Sequence, residues 1–499
     1  MSSISPAPSP SGTLTAPRIA LLVISAAAPL ACVVGTIPLA LALGGPSTTA
    51  MFIVVGCILA LFTVGYAVMS RKIAEPGGFY PYITAAMGRI LGCSAAWLAL
   101  LGYTAASIAA AAVSGYYGNL VLEQQLGIDV PWFVYSLALL VVVGALATRQ
   151  IDLGAKVVGI AVTCEFVVIL IVGIAVVARE GIHGLPSEVF APHVAFSTGF
   201  PIALMYALTC FIGFESGALY APEARDPKRS VALATYAAVT VMTLLLAFMS
   251  WVFTGAYGIN EVQGVAGQEL GDLMFTLSTA YTSPWVTTLL AFMMLLSQFA
   301  CMVTLTNAAA RYIQALGAKR ILPPALGAVH ARFGSPVRAA ILVVGVTLGA
   351  LIVFGLALGL NPFTDITSVA FGIGALSIVT LQAAASLSAV LFFRRSPERH
   401  WWRTMVAPGL GAAGLIISIV LMVRDFDLVT GNPSTVVGLM PLLLVVATCG
   451  GALYGVYLRR TAPRSYANLK FVLPELSEPF LATSPDSPVP TGPNTGSDL

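Results

Sequence analysis

Two carboxylates sit inside apolar runs, where a charge is costly. Glu215 lies in CFIGFESGAL, flanked by Gly213 and Gly217, and the run ends in a basic cluster at Arg225, Lys228 and Arg229. Glu165 lies in the middle of CEFVVILIVG. An unpaired charge in an apolar interior is expensive, and two glycines weaken the helix that would carry Glu215. Acids in such places either bridge freed backbone N–H groups or bind and release a proton, and both residues are candidates for proton coupling. A structural role stays open for each. Glu215 can be held by Ser216 or neighbouring backbone, and Glu165 can be a permanently protonated acid bonded to a helix carbonyl.

The elements that must position these acids follow from composition. Of 499 residues, 58% are hydrophobic and 9% charged, against about 25% charged in an average soluble protein. Apolar runs recur from residue 19 to residue 458, and many exceed the roughly 20 residues a helix needs to cross a bilayer. The chain reads as an all-α polytopic membrane protein with twelve transmembrane helices. The spans fall near 19–43, 48–69, 93–122, 131–149, 154–178, 199–220, 231–256, 285–316, 337–358, 366–393, 404–423 and 435–458.

Lys and Arg test that count independently, because short cytoplasmic loops concentrate them. With both termini inside, only Arg179 and Arg424 of the 24 basic residues fall outside. A wrong number of spans would scramble this partition. Residues 1–17 are expected to be a disordered cytoplasmic N-terminus, 18–460 the transmembrane domain, and the Pro- and Ser-rich 461–499 a disordered cytoplasmic tail. The net charge of +3 comes from the loops and carries no implication of nucleic acid.

Two helices in matching positions are interrupted. Span one, IALLVISAAAPLACVVGTIPLALALGG, contains Pro29, Gly35 and Pro38, and span six has its two glycines around Glu215. If the first ten spans form two five-helix halves, these are corresponding first helices. Paired interruptions of this kind point to a transporter site near the bilayer midplane. Unwound backbone exposes N–H and C=O groups that cannot remain unsatisfied in lipid, and an ionic substrate can satisfy them. Pro38 suits the first residue of a second half-helix, whose partial positive charge favours a carboxylate, while carbonyl ends favour an ammonium. A molecule bearing both groups is an amino acid. Its candidate contacts are Val34, Gly35, Thr36 and Ile37 in span one, Phe211, Ile212, Gly213, Phe214 and Glu215 in span six and Tyr103 in span three, with Phe211, Phe214 and Tyr103 as candidate aromatic gates and Phe211 the foremost of them.

The sequence resembles the amino acid/polyamine/organocation permeases. FIGFES at 211–216 followed by PEARDPKRS at 222–230 is similar to the family's sixth-helix segment. EPGGFYPYITAAMGRILG at 75–92 resembles its reentrant loop between helices two and three, and RILPPALGAVHARFGSPVRAA at 320–340 the loop after helix eight. The chain departs from the family pattern with VVGTIP at 33–38, where many members have a Gly-Ser-Gly-like break, and with AKRILP where an Arg-Asp-Gly often precedes Leu-Pro. The resemblance implies a five-plus-five inverted repeat with broken helices one and six, two additional C-terminal helices, and secondary transport of amino acids or related amines. Some relatives place a lysine at the position of Glu165. A carboxylate there cannot mimic a sodium ion but can carry a proton, so proton symport across the plasma membrane is expected, with sodium coupling or exchange as the alternatives.

Other classes fit poorly. The four histidines lie in loops, the seven cysteines are scattered without metal-site spacing, and no Ser/His/Asp set is visible. No enzyme activity and no cofactor or metal is expected. A channel would need rings of pore-lining polar groups, and the chain offers isolated acids and paired breaks, so a channel-like membrane protein stays a minor alternative.

Overall fold

The computed structural model describes residues 15–73, 78–149, 155–215, 217, 224–330, 335–431, 434–463 and 466. Most of both terminal segments expected to be disordered, and Ser216, lie outside the described residues. The described residues form helices and no strand. The chain runs α1 (Ala16–Gly44, interrupted), α2 (Ser47–Lys72), α3 (Tyr80–Met87), α4 (Arg89–Leu126), α5 (Trp132–Arg149), α6 (Ala155–Glu180) and α7 (Phe200–Thr209). It continues through α8 (Pro227–Tyr257), α9 (Val262–Glu269), α10 (Leu273–Tyr281), α11 (Pro284–Ala318), α12 (Val337–Ala357), α13 (Pro362–Phe393), α14 (Trp401–Arg424) and α15 (Thr435–Thr461).

Among the described residues, ten helices are long and apolar enough to cross a membrane. Two shorter apolar helices, Trp132–Thr148 and Phe200–Thr209, fall where the sequence places spans four and six. The protein is a multi-pass membrane protein. Short α3 occupies the stretch expected to form a reentrant loop, and it packs against α4 and α13.

Small residues bring the helices together, as is usual where lipid removes the hydrophobic incentive for association. Helices α4 and α13 meet through a glycine on each. A Cβ on Gly102 would stand 2.9 Å from that of Ser377, and one on Gly374 would stand 3.4 Å from the Ala106 nitrogen. Hydroxyls at this interface return their protons to their own helix, Ser107 to the Tyr103 carbonyl and Ser377 to that of Ile373, both at 2.8 Å. No buried hydroxyl proton is stranded there.

Loop and helix ends join in two separate sets. At one end Lys72 pairs with Glu398 at 2.7 Å, Lys319 lies over the Tyr80 ring, Arg89 lies over Tyr466, and Ser335 donates to the Thr148 carbonyl. At the other, Gln124 donates to Asp272 at 2.9 Å, Arg179 to the Ala280 carbonyl at 2.8 Å and Tyr281 to Glu180 at 2.8 Å. The first set contains Lys72, Arg89 and Lys319, and the second Arg179.

Candidate functional site

Helix α1 breaks at Ala28, which has left-handed torsions (φ 47°, ψ 72°), and restarts at Pro29. It then widens into a π-helical turn over Cys32–Thr36 before Ile37–Gly44 closes the span. The sequence names Pro29 among its interruptions, and the residue before a proline is disfavoured in the α region. That rule makes Ala28 the pivot, although alanine is itself a strong helix former. The VVGTIP stretch holds the π turn rather than a full break.

Helix α7 stops at Thr209, and residues 210–213 follow as turns and 214–215 as 3-10 helix, with Gly213 at φ 103°. No Cβ-bearing residue adopts that torsion without strain. A Cβ at Gly213 would also stand 3.1 Å from the Ala26 carbonyl oxygen. The two breaks therefore lie against each other.

The two buried acids attend one break each. Glu215 Oε2 accepts the Gly213 N–H at 3.1 Å, and its Oε1 accepts the Tyr103 hydroxyl at 2.7 Å. The Glu215 carbonyl accepts the Tyr66 hydroxyl at 2.9 Å. This ties the sixth-span break to α2 and α4. Glu165, on α6, extends Oε2 to the Leu30 N–H at 3.3 Å. Pro29 has no N–H, so Leu30 offers the first free donor of the restarted helix, and a carboxylate there also meets the positive end of the helix dipole.

Between the breaks lies a cavity of about 50 Å³. At roughly 10–15 Å³ per water by this measure, it holds a few waters or a small polar head group. Its wall from α1 includes Ala26, Ala27, Ala28, Cys32, Gly35, Thr36 and Leu39. Tyr206, Thr209 and Ile212 come from α7 and its break, Gln298, Cys301 and Leu305 from α11, and Val113 from α4. Phe363, Thr367, Ser368 and Phe371 of α13 complete it. No charged side chain is among these lining residues. The hydroxyl of buried Tyr206 has no hydrogen-bond partner among the described residues.

Aromatic layers lie on both sides of the cavity. Toward the basic end, Phe62 packs against Tyr66, Phe79 and Phe214, and Tyr66 against Tyr82. Toward the opposite end, Phe363 stacks on Tyr116 at 4.6 Å and meets Tyr117 edge-on, and Tyr117 also meets Phe275.

Of the residues singled out from sequence, Gly35, Thr36 and Ile212 line the cavity, and Gly213 forms the break beside it. Val34 and Ile37 are buried and are not among the lining residues; the Val34 carbonyl accepts the Tyr117 hydroxyl at 3.0 Å. Phe211 and Phe214 are buried, with Phe214 in the aromatic layer. Tyr103 holds Glu215 rather than facing the cavity, and its ring lies 5.3 Å from that of Tyr312. Ala26–Ala28, Cys32, Tyr206, Gln298, Cys301 and the α13 residues are additions that sequence alone did not single out. Only the proline after Ala28 gave a signal for any of them.

The family model described as amino acid permease matches residues 14–458, almost the whole helical region. The chain belongs to the amino acid permease family. It is 26% identical over 318 residues to an uncharacterized transporter of Rhizobium meliloti, covering 60% of this chain and 65% of that protein. It is 25% identical over 312 residues to a branched-chain amino acid permease of Lactococcus lactis, covering 58% and 64%. A methylthioribose transporter of Bacillus subtilis is 23% identical over 310 residues, covering 59% and 64%. The matched stretches thus span just under two thirds of these relatives' own lengths. The family and these relatives are transporters, not enzymes.

Proposed function

We propose that this permease is a secondary active transporter that carries a neutral amino acid across the plasma membrane by alternating access. The observation that carries the reading is the small uncharged cavity between two helix breaks whose freed N–H groups meet Glu165 and Glu215. Free backbone donors and acceptors suit the α-carboxylate and α-ammonium of the substrate. Leu39, Val113, Ile212, Leu305 and Phe371 suit an apolar side chain, and the absence of a lining carboxylate disfavours a cationic one. The branched-chain permease among the relatives points the same way. Related amines are the weaker fit.

In this reading the twelve spans form a five-plus-five inverted repeat followed by two further helices, and the Lys- and Arg-rich end with both termini faces the cytoplasm. Glu165 couples a proton to substrate movement. Protonation would weaken its hold on Leu30 and so loosen the restart of the first helix. The aromatic layers act as alternating gates.

Binding tests the substrate class without reference to driving force. Purified protein in neutral detergent is heated with a panel of branched-chain, small neutral and cationic amino acids and polyamines. A ligand at 100 times its Kd stabilises by about 2.7 kcal/mol, so neutral amino acids should raise the unfolding temperature measurably. If only amines stabilise, or nothing in the panel does, the substrate assignment fails.

A further inference from the structure

Gln298 stands apart from the other polar groups on the central cavity. Thr209, Thr367 and Ser368 give their hydroxyl protons to nearby backbone carbonyls, those of Met205, Pro362 and Phe363. The Gln298 side chain is 3% exposed, lines the cavity, and forms no hydrogen bond with another described residue. A carboxamide brings two N–H donors and an acceptor oxygen, and a buried one is nearly always paired with protein, water or ligand. Cys301 and Leu305, three and seven residues on, line the same cavity, so one face of α11 is turned toward it.

A substrate carboxylate needs donors, and those expected at the helix breaks are engaged. The Leu30 and Gly213 N–H groups go to Glu165 and Glu215. The VVGTIP stretch winds as a π turn over Cys32–Thr36, with the Ile37 N–H bonded to the Cys32 carbonyl, and Pro38 after it has no N–H to give. Acceptors for an ammonium are less scarce, because the half-helices that end at Ala27 and Thr209 leave terminal carbonyls. The cavity makes up for its missing backbone donors with side chains. These include the Gln298 amide and the hydroxyl of Tyr206 on α7, which lies beside Ser368 without an aligned hydrogen bond. Hydrogen bonds to an ionised acceptor are about twice as strong as neutral ones, so a carboxylate is the partner that gains most from a dry amide donor.

We infer that Gln298 holds the α-carboxylate of the substrate, donating from its side-chain amide in place of the first-span backbone. The assignment rests on the reading that the central cavity carries an amino acid. It places the polar head beside Gln298 and leaves Leu305, on the same helix face, for the apolar side chain.

The test uses the full chain in neutral detergent and three probes: leucine, 3-methylbutylamine, which is leucine without its carboxylate, and 4-methylpentanoate, which is leucine without its ammonium. Dissociation constants are measured by isothermal titration for wild type, Gln298→Leu and Gln298→Glu. Gln382→Leu, at a buried glutamine of α13 that is not among the cavity-lining residues, is the control. Gln298→Leu should weaken leucine and 4-methylpentanoate by about tenfold to a hundredfold, the worth of a hydrogen bond to a charged group, and leave the amine within about twofold. Gln298→Glu keeps the shape but loses the amide donors, so both carboxylates should weaken at least as much. Gln382→Leu should bind all three probes as wild type does. Should one Gln298 variant prove unstable, the other carries the comparison. Equal losses for all three probes in the Gln298 variants, or a loss confined to the amine, would overturn the inference and leave the transport reading standing. Wild type that binds no leucine would remove that reading and this inference with it.

Discussion

Replacing Gly213 with alanine puts the break of the sixth span to a quantitative test. At φ 103° an L-residue lies beyond even the left-handed helical region, where the penalty is already about 1 to 2 kcal/mol. The new methyl would stand 3.1 Å from the Ala26 carbonyl oxygen and 3.2 Å from its carbonyl carbon. That neighbour is backbone just before the Ala28 pivot, so relief requires moving one break against the other; overpacking of this kind costs about 1 to 3 kcal/mol. Together the two terms give about 2 to 5 kcal/mol. Alanine also favours helix over glycine by about 0.8 to 1 kcal/mol, so the variant can escape strain only by rewinding the segment and giving up the Gly213–Glu215 bond. Gly217→Ala is the control. Gly217 has no positive φ, and its methyl would meet side-chain atoms of Thr235 and Val23 at 3.3 Å and of Val231 at 3.9 Å, all of them free to shift more easily than backbone. Thermal unfolding with and without a saturating amino acid should show a lowered apo stability and a lost ligand shift for Gly213→Ala, and near wild-type behaviour for Gly217→Ala. Wild-type stability and ligand shift in both would mean that the positive φ at 213 is not a feature of the folded protein.

Other substitutions read the same network. Ala28→Gly relieves left-handed strain while adding backbone entropy, so stability should change by less than about 1 kcal/mol; Ala28→Val should be clearly destabilised in the same melting assay. Tyr103→Phe removes a hydrogen bond to a carboxyl group, about 1.5 to 3 kcal/mol if that group is ionised, and a double-mutant cycle with Glu215→Gln should be strongly non-additive. Glu215→Ala leaves the Gly213 N–H and the Tyr103 hydroxyl unpaired at about 1 to 3 kcal/mol each, so substrate binding should fall further than in Glu215→Gln. In Glu165→Gln the group that accepts from the Leu30 N–H can no longer take up a proton. Wild-type uptake should rise as external pH falls and the variant should be flat, while exchange of substrate for substrate persists; unchanged pH dependence would remove Glu165 from the coupling mechanism.

Much of this arrangement was legible in the chain. Hydropathy outlined the ten described helices that are long and apolar enough to cross a membrane, because lipid forbids unsatisfied backbone. Glu215 was visible because an acid between two glycines contradicts its apolar run, and the structure gives its carboxylate the neighbouring Gly213 N–H. The location of the first break was half visible. Of the three interruptions Pro29, Gly35 and Pro38, the backbone forms a π turn at Gly35 and continues as helix through Pro38, while the pivot sits at Ala28, whose only sign is Pro29 after it. The partners of the acids were not legible. Tyr66 lies 149 residues from Glu215 and Leu30 lies 135 from Glu165, and such pairings arise from helix packing that no local pattern encodes. Nor does the sequence pair Tyr103 with Glu215, whose carboxylate accepts its hydroxyl. Cavity residues such as Gln298 and Cys301 look like ordinary packing positions in sequence, because which face of α11 meets the breaks is settled only by its neighbours.

The most direct measurement of the central claim is uptake by the purified protein in sealed liposomes. A labelled branched-chain amino acid is presented outside with an inward proton gradient, and wild type and Glu215→Ala are compared at equal protein content. Wild type should accumulate the label above its external concentration and lose that accumulation when the gradient is collapsed, while the variant stays near the level of empty liposomes. Wild-type protein that is monodisperse and correctly inserted, yet takes up no more than empty liposomes for any neutral amino acid, would contradict the account.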